Sequence, residues 1–291
     1  MRKIDFYFPI IAIFVLVVSL LNSIEGPEQL EIQTIKLDSI HKIIEITDSL
    51  VVPVLYDTLM VDQFSMIPDR KKQFINQVLP AILIVRFELE KKSQTVEQII
   101  RKIERNEPLE PRETAYADSL LNHFRAQTYE NLLERLKPHP NSLVLAQAAL
   151  ESGWGLSRLA IEGNNLFGVI SSSTDPRSIE MLYIEGKQRL FFKRYDNILE
   201  SIDHYFLTIG RHNAYKRFRQ NRYRDIEVLE LIKTLDNYSE SDEYIFMLKK
   251  MIEWNSLTQY DNYIIDPKFI TKKTLLKEWT EILLQKNDKK K

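Results

Sequence analysis

The stretch Ala148-Ala149-Leu150-Glu151-Ser152-Gly153-Trp154-Gly155 ends an apolar helical pattern beside one acidic residue. Gly153 stands where a helix commonly ends in the left-handed conformation, so it predicts the C-terminus of the helix. The same helix is predicted to begin after Pro140, with Asn141 or Ser142 as its N-cap. The pattern therefore places Glu151 in the last turn of a helix.

A carboxyl group in that last turn faces unpaired backbone carbonyl groups, which carry partial negative charge. The ionised form of Glu151 is disfavoured there, and packing beside Trp154 would also desolvate it, so we expect a raised pKa. A carboxyl group that keeps its proton near neutral pH is suited to general acid catalysis. The alternative is a solvated helix glutamate without a chemical role.

The amino-acid composition limits the cellular compartments and the classes of binding partner that suit this protein. Hydrophobic residues make up 44% of the 291 residues, which is enough for a packed core. The chain has no cysteine, so disulfides, thiol chemistry and a lipidated N-terminal cysteine are excluded. A formal net charge of −1 gives no global attraction to nucleic acid or to a membrane surface.

The N-terminus has the layout of an export segment. Arg2 and Lys3 precede an apolar run over residues 6–21, and the chain then becomes polar. Residues 1–23 are therefore predicted to be a signal or anchor segment. The run is slightly shorter than a full span and no clear cleavage site follows it, so a cleaved signal and a retained inner-membrane anchor both stay open. In either case the body of the protein is expected to face the periplasm or cell wall.

The rest of the sequence divides into three parts. Residues 24–68 mix acidic and apolar residues between prolines and are interpreted as a linker with short strand or helix pieces. From residue 69, apolar residues recur at steps of three and four, which indicates helices with one buried face. Pro80 is expected to kink or split the first helix, and a separate short helix is predicted over residues 96–103. Residues 266–291 are interpreted as a C-terminal helix and a basic tail.

Residues 178–194 change to the two-residue period of β-strands. Residues 179–184 and 187–192 are predicted to pair around a turn at Glu185-Gly186. Side chains alternate across a strand, so Glu180 lies on one face of the hairpin while Glu185 lies at its tip. These two residues are the candidates for a second carboxylate, and an exposed glutamate without a role is the alternative for each.

Two motifs carry a resemblance to a known family. The stretch 149–155, followed by Gly163-Asn164-Asn165-Leu166-Phe167-Gly168, resembles the glucosaminidase family of bacterial peptidoglycan hydrolases. A similarity to bacterial Bax-type proteins is carried upstream by Lys71-Lys72-Gln73-Phe74, by Leu79-Pro80 and by residues 140–149. The Glu151 motif is the specific part of this resemblance, and the upstream helices are less specific.

The resemblance implies a lysozyme-like fold over residues 69–265, mainly helical, with a small β-hairpin beside a glycan cleft. It implies hydrolysis of the β-1,4 bond after N-acetylglucosamine in peptidoglycan strands, without a cofactor and with Glu151 as the catalytic acid. Family members carry a functional acid on the hairpin, and Glu180 fits this role best by its spacing to Phe192. Glu185 is the second choice.

The resemblance also implies a set of substrate-binding residues, which are Trp154, Asn164, Asn165, Phe167 and Tyr238. Trp154 is expected to stack on a sugar face, although a buried packing role is the alternative. The two asparagines are expected to orient an N-acetyl or hydroxyl group, although they also suit a capped turn. Tyr238 would be the cleft tyrosine, but its loop lacks the Gly and the Asp-Pro of the family pattern.

Other functions stay open on the sequence alone. A lytic transglycosylase would use a similar glutamate, but the pattern Gly-Ala-x-Gly-Leu-Met-Gln expected after it is absent. A non-catalytic wall-binding scaffold would keep the cleft and lose turnover. Basic residues interleave with aromatic ones over residues 211–224, which can indicate nucleic-acid binding; in an exported chain we interpret them as a solvated helix face or a contact with anionic wall polymer. Five scattered histidines show no His-x-x-x-His pair, so no metal site is predicted.

Overall fold

The computed structural model describes residues 30–37, 42–181, 189–235, 238 and 243–272. These residues form mainly helices with a few short strands, as the sequence predicts. The helices are α1 (Ile67–Glu104), α2 (Pro111–Phe124), α3 (Tyr129–Leu136), α4 (Asn141–Ser152), α5 (Arg158–Gly163), α6 (Ile198–Arg211), α7 (Lys216–Tyr223), α8 (Val228–Leu231) and α9 (Tyr244–Trp254). The strands are β1 (Leu30–Ile32), β2 (Ile35–Leu37), β3 (Leu50–Val51), β4 (Val54–Tyr56), β5 (Ile179–Glu180), β6 (Phe191–Phe192), β7 (Ile264–Ile265) and β8 (Ile270–Lys272).

The chain divides into two compact units. The larger unit runs from Thr34 to Phe269 and contains all the helices named above. The smaller unit combines Met1–Gln33 with Ile270–Lys291, and in its described part β1 pairs antiparallel with β8. The predicted segment 1–23 lies outside the described residues. Of the helices that the structure describes, none has both the length and the apolar character needed to cross a membrane.

The predicted C-terminal segment 266–291 is described as far as residue 272, and its helix and basic tail stay a prediction. Residues 267–269 form a short 3-10 helix and residues 270–272 form β8. Ile270 and Thr271 are β-branched, which suits a strand better than a helix.

The helix α1 runs unbroken for 38 residues. The separate helix predicted over residues 96–103 is therefore part of α1, and Pro80 lies inside α1 without splitting it. Every residue from Phe74 to Val85 is buried, so this part of α1 is covered on all sides. Packing against α3, α4, α6 and β4 offsets the cost of a proline inside a helix, which is about 3 kcal/mol.

In the larger unit, the described residues of segment 24–68 pack against α1, and they include short strands of the kind predicted for this segment. β2 pairs in parallel with β4, and β3 pairs in parallel with β7. Asn76 of α1 accepts a hydrogen bond from the backbone N–H of Ile46 at 3.1 Å, and Gln77 accepts one from that of Met60 at 2.8 Å. Strands of two or three residues are too short to show an alternating pattern in the sequence. The other domain boundaries stay predictions.

The N-terminus of α4 is held by a carboxylate from a distant part of the chain. The predicted N-caps are wrong, because Pro140 occupies the N-cap position and no side-chain cap is formed there. Asp261 accepts hydrogen bonds from the backbone N–H of Ser142 at 2.7 Å and from its hydroxyl group at 2.8 Å. Asn141 instead donates to the backbone carbonyl of Tyr260 at 2.7 Å. The first N–H groups of a helix lack intrahelical partners, so a carboxylate is favoured at this end.

Candidate active site

Glu151 lies in the last turn of α4, and the helix ends at Gly153 with a φ of 58°, as the sequence predicts. Glu151 as a whole is an exposed residue. The surrounding protein nevertheless desolvates its carboxyl group in part, and this burial raises the pKa of Glu151. The hydroxyl group of Tyr244 on α9 lies within hydrogen-bonding reach of this carboxyl group and lowers the pKa in part. The predicted rise in the pKa of Glu151 is therefore confirmed, and burial is its main cause.

The turn after α4 depends on glycine. All three residues from Gly153 to Gly155 have positive φ. A Cβ atom at Gly155 would lie 2.8 Å from a methyl group of Leu59, so a larger residue does not fit without displacement. The hydroxyl group of Ser152 accepts a hydrogen bond from the backbone N–H of Gly155 at 2.8 Å. The Ser-Gly-Trp-Gly sequence thus fixes the direction in which the chain leaves Glu151.

Trp154 is half-buried in this turn and packs on α1. Its ring meets Phe74 edge to face, with ring centroids 5.5 Å apart. The ammonium group of Lys71 lies 4.9 Å from the centroid of the Trp154 ring and donates a hydrogen bond to Asn255 at 2.7 Å. Trp154 therefore has the packing role that was the alternative to sugar binding. Stacking of the exposed part of its ring on a sugar stays a prediction.

A cluster of aromatic rings adjoins the carboxyl group of Glu151. Tyr238 stacks on Tyr244, with ring centroids 5.3 Å apart. Burial raises the pKa of both tyrosines, and the nearby charge of Glu151 acts in the same direction. Tyr205 lies next to Tyr238, and Phe167 stacks on Tyr205 at 4.2 Å between centroids. The structure thus brings the predicted Tyr238 close to Glu151, while the buried Phe167 packs within the cluster.

Two residues of this site, Gln147 and Tyr244, carry only weak signals in the sequence. Gln147 is fully buried in α4, one turn before Glu151, and its Nε2 donates to the hydroxyl group of Tyr244 at 2.9 Å. A polar residue inside an apolar helix, four positions before the acidic residue and on the same face, is the signal for Gln147. Tyr244 lies six residues after Tyr238, which is the spacing of the two tyrosines in the family pattern, although the Gly and the Asp-Pro of that pattern are missing here.

Asn164 and Asn165 are buried and hold the turn after α5. Asn164 has a φ of 51°, and its side-chain amide donates to the backbone carbonyl of Asp57 at 2.9 Å. Asn165 donates to the backbone carbonyls of Val169 and Lys193, each at 2.9 Å. The capped-turn alternative is therefore present at both positions, and contact with substrate stays a prediction.

The strands β5 and β6 pair antiparallel, with Glu180 opposite Phe191. This register is the one predicted for the hairpin. Glu185, predicted at the tip, lies outside the described residues. The carboxylate of Glu180 is exposed and lies 3.0 Å from the guanidinium group of Arg189. The role of Glu180 as a second carboxylate stays a prediction, and a substrate would compete with Arg189 for it.

Two arginines of the basic and aromatic stretch 211–224 are structural. Arg219 and Arg222 are buried, which corrects the interpretation of a solvated helix face for both. Arg219 donates to the backbone carbonyl of Ile209 at 2.8 Å, and Arg222 donates to that of Glu134 at 2.6 Å. They satisfy carbonyl groups in the last turns of α6 and α3, where a cation is favoured.

The part of the chain that holds these residues matches a known family. Residues 126–257 match the model of the Glucosaminidase family, described as mannosyl-glycoprotein endo-beta-N-acetylglucosaminidase. The resemblance predicted from the Glu151 motif is therefore confirmed over these residues.

Individual proteins are similar over part of the chain. Protein bax of Escherichia coli (strain K12) is 30% identical over 130 residues, which are 41% of this chain and 45% of that protein. Exo-glucosaminidase LytG of Bacillus subtilis (strain 168) is 28% identical over 158 residues, 50% of this chain and 52% of that protein. The chain thus spans about half the length of these curated relatives. The catalytic domain of the autolysin Auto from Listeria monocytogenes aligns with a TM-score of 0.37 at 23% identity, covering 57% of this chain and 97% of that domain.

We expect the substitution Glu151→Gln to stabilise the folded protein at neutral pH. The raised pKa means that the folded protein holds the Glu151 proton more tightly than the unfolded chain, whose value is near 4.5. The two proteins should differ least below that value, and the wild type should lose stability relative to the variant as the pH rises through the raised pKa. Thermal unfolding midpoints from about pH 3 to about pH 8 measure this difference.

Glu162→Gln is the matched control, because Arg158 lowers the pKa of Glu162 and no gain in stability is expected at neutral pH. A Glu151→Gln protein that is less stable than the wild type at neutral pH would contradict the raised pKa.

Proposed function

We propose that this protein is a peptidoglycan hydrolase that cleaves the β-1,4 bond after N-acetylglucosamine, with Glu151 as the general acid. The observation that carries this proposal is a carboxyl group with a raised pKa at the end of α4, inside the residues that match the Glucosaminidase family. The partial similarity to a protein named exo-glucosaminidase supports the choice of bond.

The surroundings of Glu151 suit both stages of a proton transfer. Cleavage of a glycosidic bond needs a proton on the leaving oxygen, and burial favours the protonated form of Glu151 by raising its pKa. Once the proton has left, the hydroxyl group of Tyr244 stabilises the carboxylate by a hydrogen bond. Desolvation therefore favours the acid before the transfer, and Tyr244 favours its conjugate base afterwards.

The glycan strand would contact the exposed part of Trp154, three residues after Glu151, and the ring of Tyr238, which lies close to Glu151 in the fold. Sugar faces stack on aromatic rings through their apolar C–H groups. Asn164, Asn165 and Phe167 would contribute by holding the walls of the cleft, since all three are buried.

We expect Glu151→Gln to fold and to lose roughly 100-fold to 10,000-fold in peptidoglycan hydrolysis, because the amide cannot donate the proton that the leaving oxygen needs. Turnover of purified peptidoglycan by the purified proteins measures the loss, and Glu162→Gln should keep wild-type activity. A Glu151→Gln protein that works at nearly the wild-type rate would contradict the assignment.

The products separate this proposal from its alternatives. Mass spectrometry of the wild-type digest should show N-acetylglucosamine at the reducing ends. Products that end in 1,6-anhydro-muramic acid would identify a lytic transglycosylase. Absence of any product from the intact exported protein would favour a wall-binding scaffold.

Glu180 is proposed as the second carboxylate, assisting a water molecule or stabilising positive charge on the sugar. We expect Glu180→Gln to lower turnover by at least roughly a hundredfold and Glu185→Gln to change it little. Arg189→Gln is the matched control, because it breaks the same ion pair and leaves the carboxylate in place. A larger loss at Glu185 would move the role to the hairpin tip. No loss at either residue would leave Tyr238 or the substrate's own N-acetyl group as the source of assistance.

Residues 1–23 are proposed to export residues 24–291 and to hold them at the inner membrane, facing the cell wall. The basic residues Arg2 and Lys3 before an apolar run support this orientation. A reporter fused to the C-terminus should be active outside the cytoplasm. Activity of the reporter in the cytoplasm alone would rule the proposal out, and recovery of the body in the soluble exported fraction would favour cleavage over anchoring.

A further inference from the structure

A buried chain of hydrogen bonds leads to the hydroxyl group of Tyr244, which neighbours the carboxyl group of Glu151. The hydroxyl group of Tyr205, on α6, donates to Oε1 of Gln147, on α4. The Nε2 of Gln147 donates to the hydroxyl group of Tyr244, on α9, at 2.9 Å. That hydroxyl group in turn lies within hydrogen-bonding reach of Glu151. We propose that Gln147 is a positioning residue, which directs the hydroxyl proton of Tyr244 onto the carboxylate of Glu151.

A tyrosine hydroxyl group has a single proton, which it can donate to one acceptor. Tyr244 faces two side chains, Gln147 and Glu151. Because Gln147 turns its NH₂ group toward Tyr244, the Tyr244 oxygen accepts a hydrogen bond there and its proton is left for Glu151. With the amide reversed, Tyr244 would donate to Gln147 and present its lone pairs to the carboxylate.

Tyr205 determines which way the amide of Gln147 faces. Its hydroxyl group donates to the amide oxygen, and a reversed amide would leave this buried proton without its acceptor. The ring of Tyr205 is held by stacking on Phe167, so the hydroxyl group cannot easily move away. The side chains of Tyr205, Gln147 and Tyr244 are all buried, which limits competition from water.

This inference rests on the proposed function, in which Glu151 gives its proton to the leaving oxygen. The carboxylate that forms is stabilised by the Tyr244 proton, so Gln147 acts on the chemical step through Tyr244. A variant of Gln147 should therefore change kcat more than KM.

Glu151 is the carboxyl group of this cluster, and burial raises its pKa above the ordinary value. The other titratable groups that face the hydrogen-bond chain in the described residues are Tyr205, Tyr215, Tyr238, Tyr244, His139 and Arg222. Burial raises the pKa of all four tyrosines and lowers the pKa of Arg222 to about 9. Burial also lowers the pKa of His139 well below its usual value, which favours the neutral imidazole.

Gln147→Met tests the proposal, because methionine is an unbranched apolar side chain of similar length that forms neither hydrogen bond. The pKa of Glu151 should rise part of the way toward its value in Tyr244→Phe, and kcat should fall about threefold to tenfold with little change in KM. In a Tyr244→Phe background, Gln147→Met should have no further effect on either quantity, because the proton that Gln147 directs is gone. A ¹³C NMR titration of the Glu151 carboxyl group and steady-state hydrolysis of peptidoglycan measure the two effects.

Tyr195→Phe is the matched control, because it removes another buried hydroxyl group, which bonds to His204, and should leave the pKa of Glu151 and kcat unchanged. If Gln147→Met does not fold, Tyr205→Phe tests the same proposal, since it frees the amide while keeping the ring on Phe167. Tyr205→Phe should raise the pKa of Glu151 and lower kcat, each by less than Gln147→Met does.

The proposal would be overturned if Gln147→Met left the pKa of Glu151 unchanged. It would also be overturned if Gln147→Met lowered kcat by the same factor in the wild type and in the Tyr244→Phe background. A wild type without hydrolytic activity would instead overturn the proposed function. The NMR titration would then still decide whether Gln147 directs the proton of Tyr244.

Discussion

A carboxyl group that must keep its proton at the end of a helix is the constraint on which the rest of the site depends. Burial holds the proton on Glu151, and the hydroxyl group of Tyr244 acts in the opposite direction. Stronger burial would make the carboxylate left after proton transfer too unfavourable, and weaker burial would lose the proton before a substrate arrives. The chemistry proposed for this protein needs both influences together.

The fold maintains this balance by fixing both ends of α4. Asp261 binds the first turn through Ser142, and the close approach of Gly155 to Leu59 holds the turn that follows the helix. Between these points, residues 141–149 are all buried, and α4 packs on α1 and α9. A rigid helix matters because a misplacement of about 1 Å at a reacting group can cost on the order of a hundredfold in rate.

Sequence reasoning succeeded where the signal is local. The glycine at position 153, the last-turn position of Glu151 and the hairpin register all follow from neighbouring residues, and the structure confirms them. It failed where tertiary contacts decide. The capping of α4 by Asp261 joins residues 119 positions apart, and the continuity of α1 through Pro80 depends on packing from all sides. Tyr244 reaches Glu151 from a separate helix, so its proximity to Glu151 does not follow from neighbouring residues.

The pH dependence of kcat/KM for hydrolysis of peptidoglycan by the wild-type protein tests the central claim most directly. This ratio reports the pKa of the essential acid in the free enzyme. We predict that activity is retained above pH 4.5, the ordinary value for a glutamate, and is lost as the pH rises through the raised pKa of Glu151. An alkaline limb centred at or below 4.5 would contradict it, because Glu151 would then be ionised before it could act as the acid.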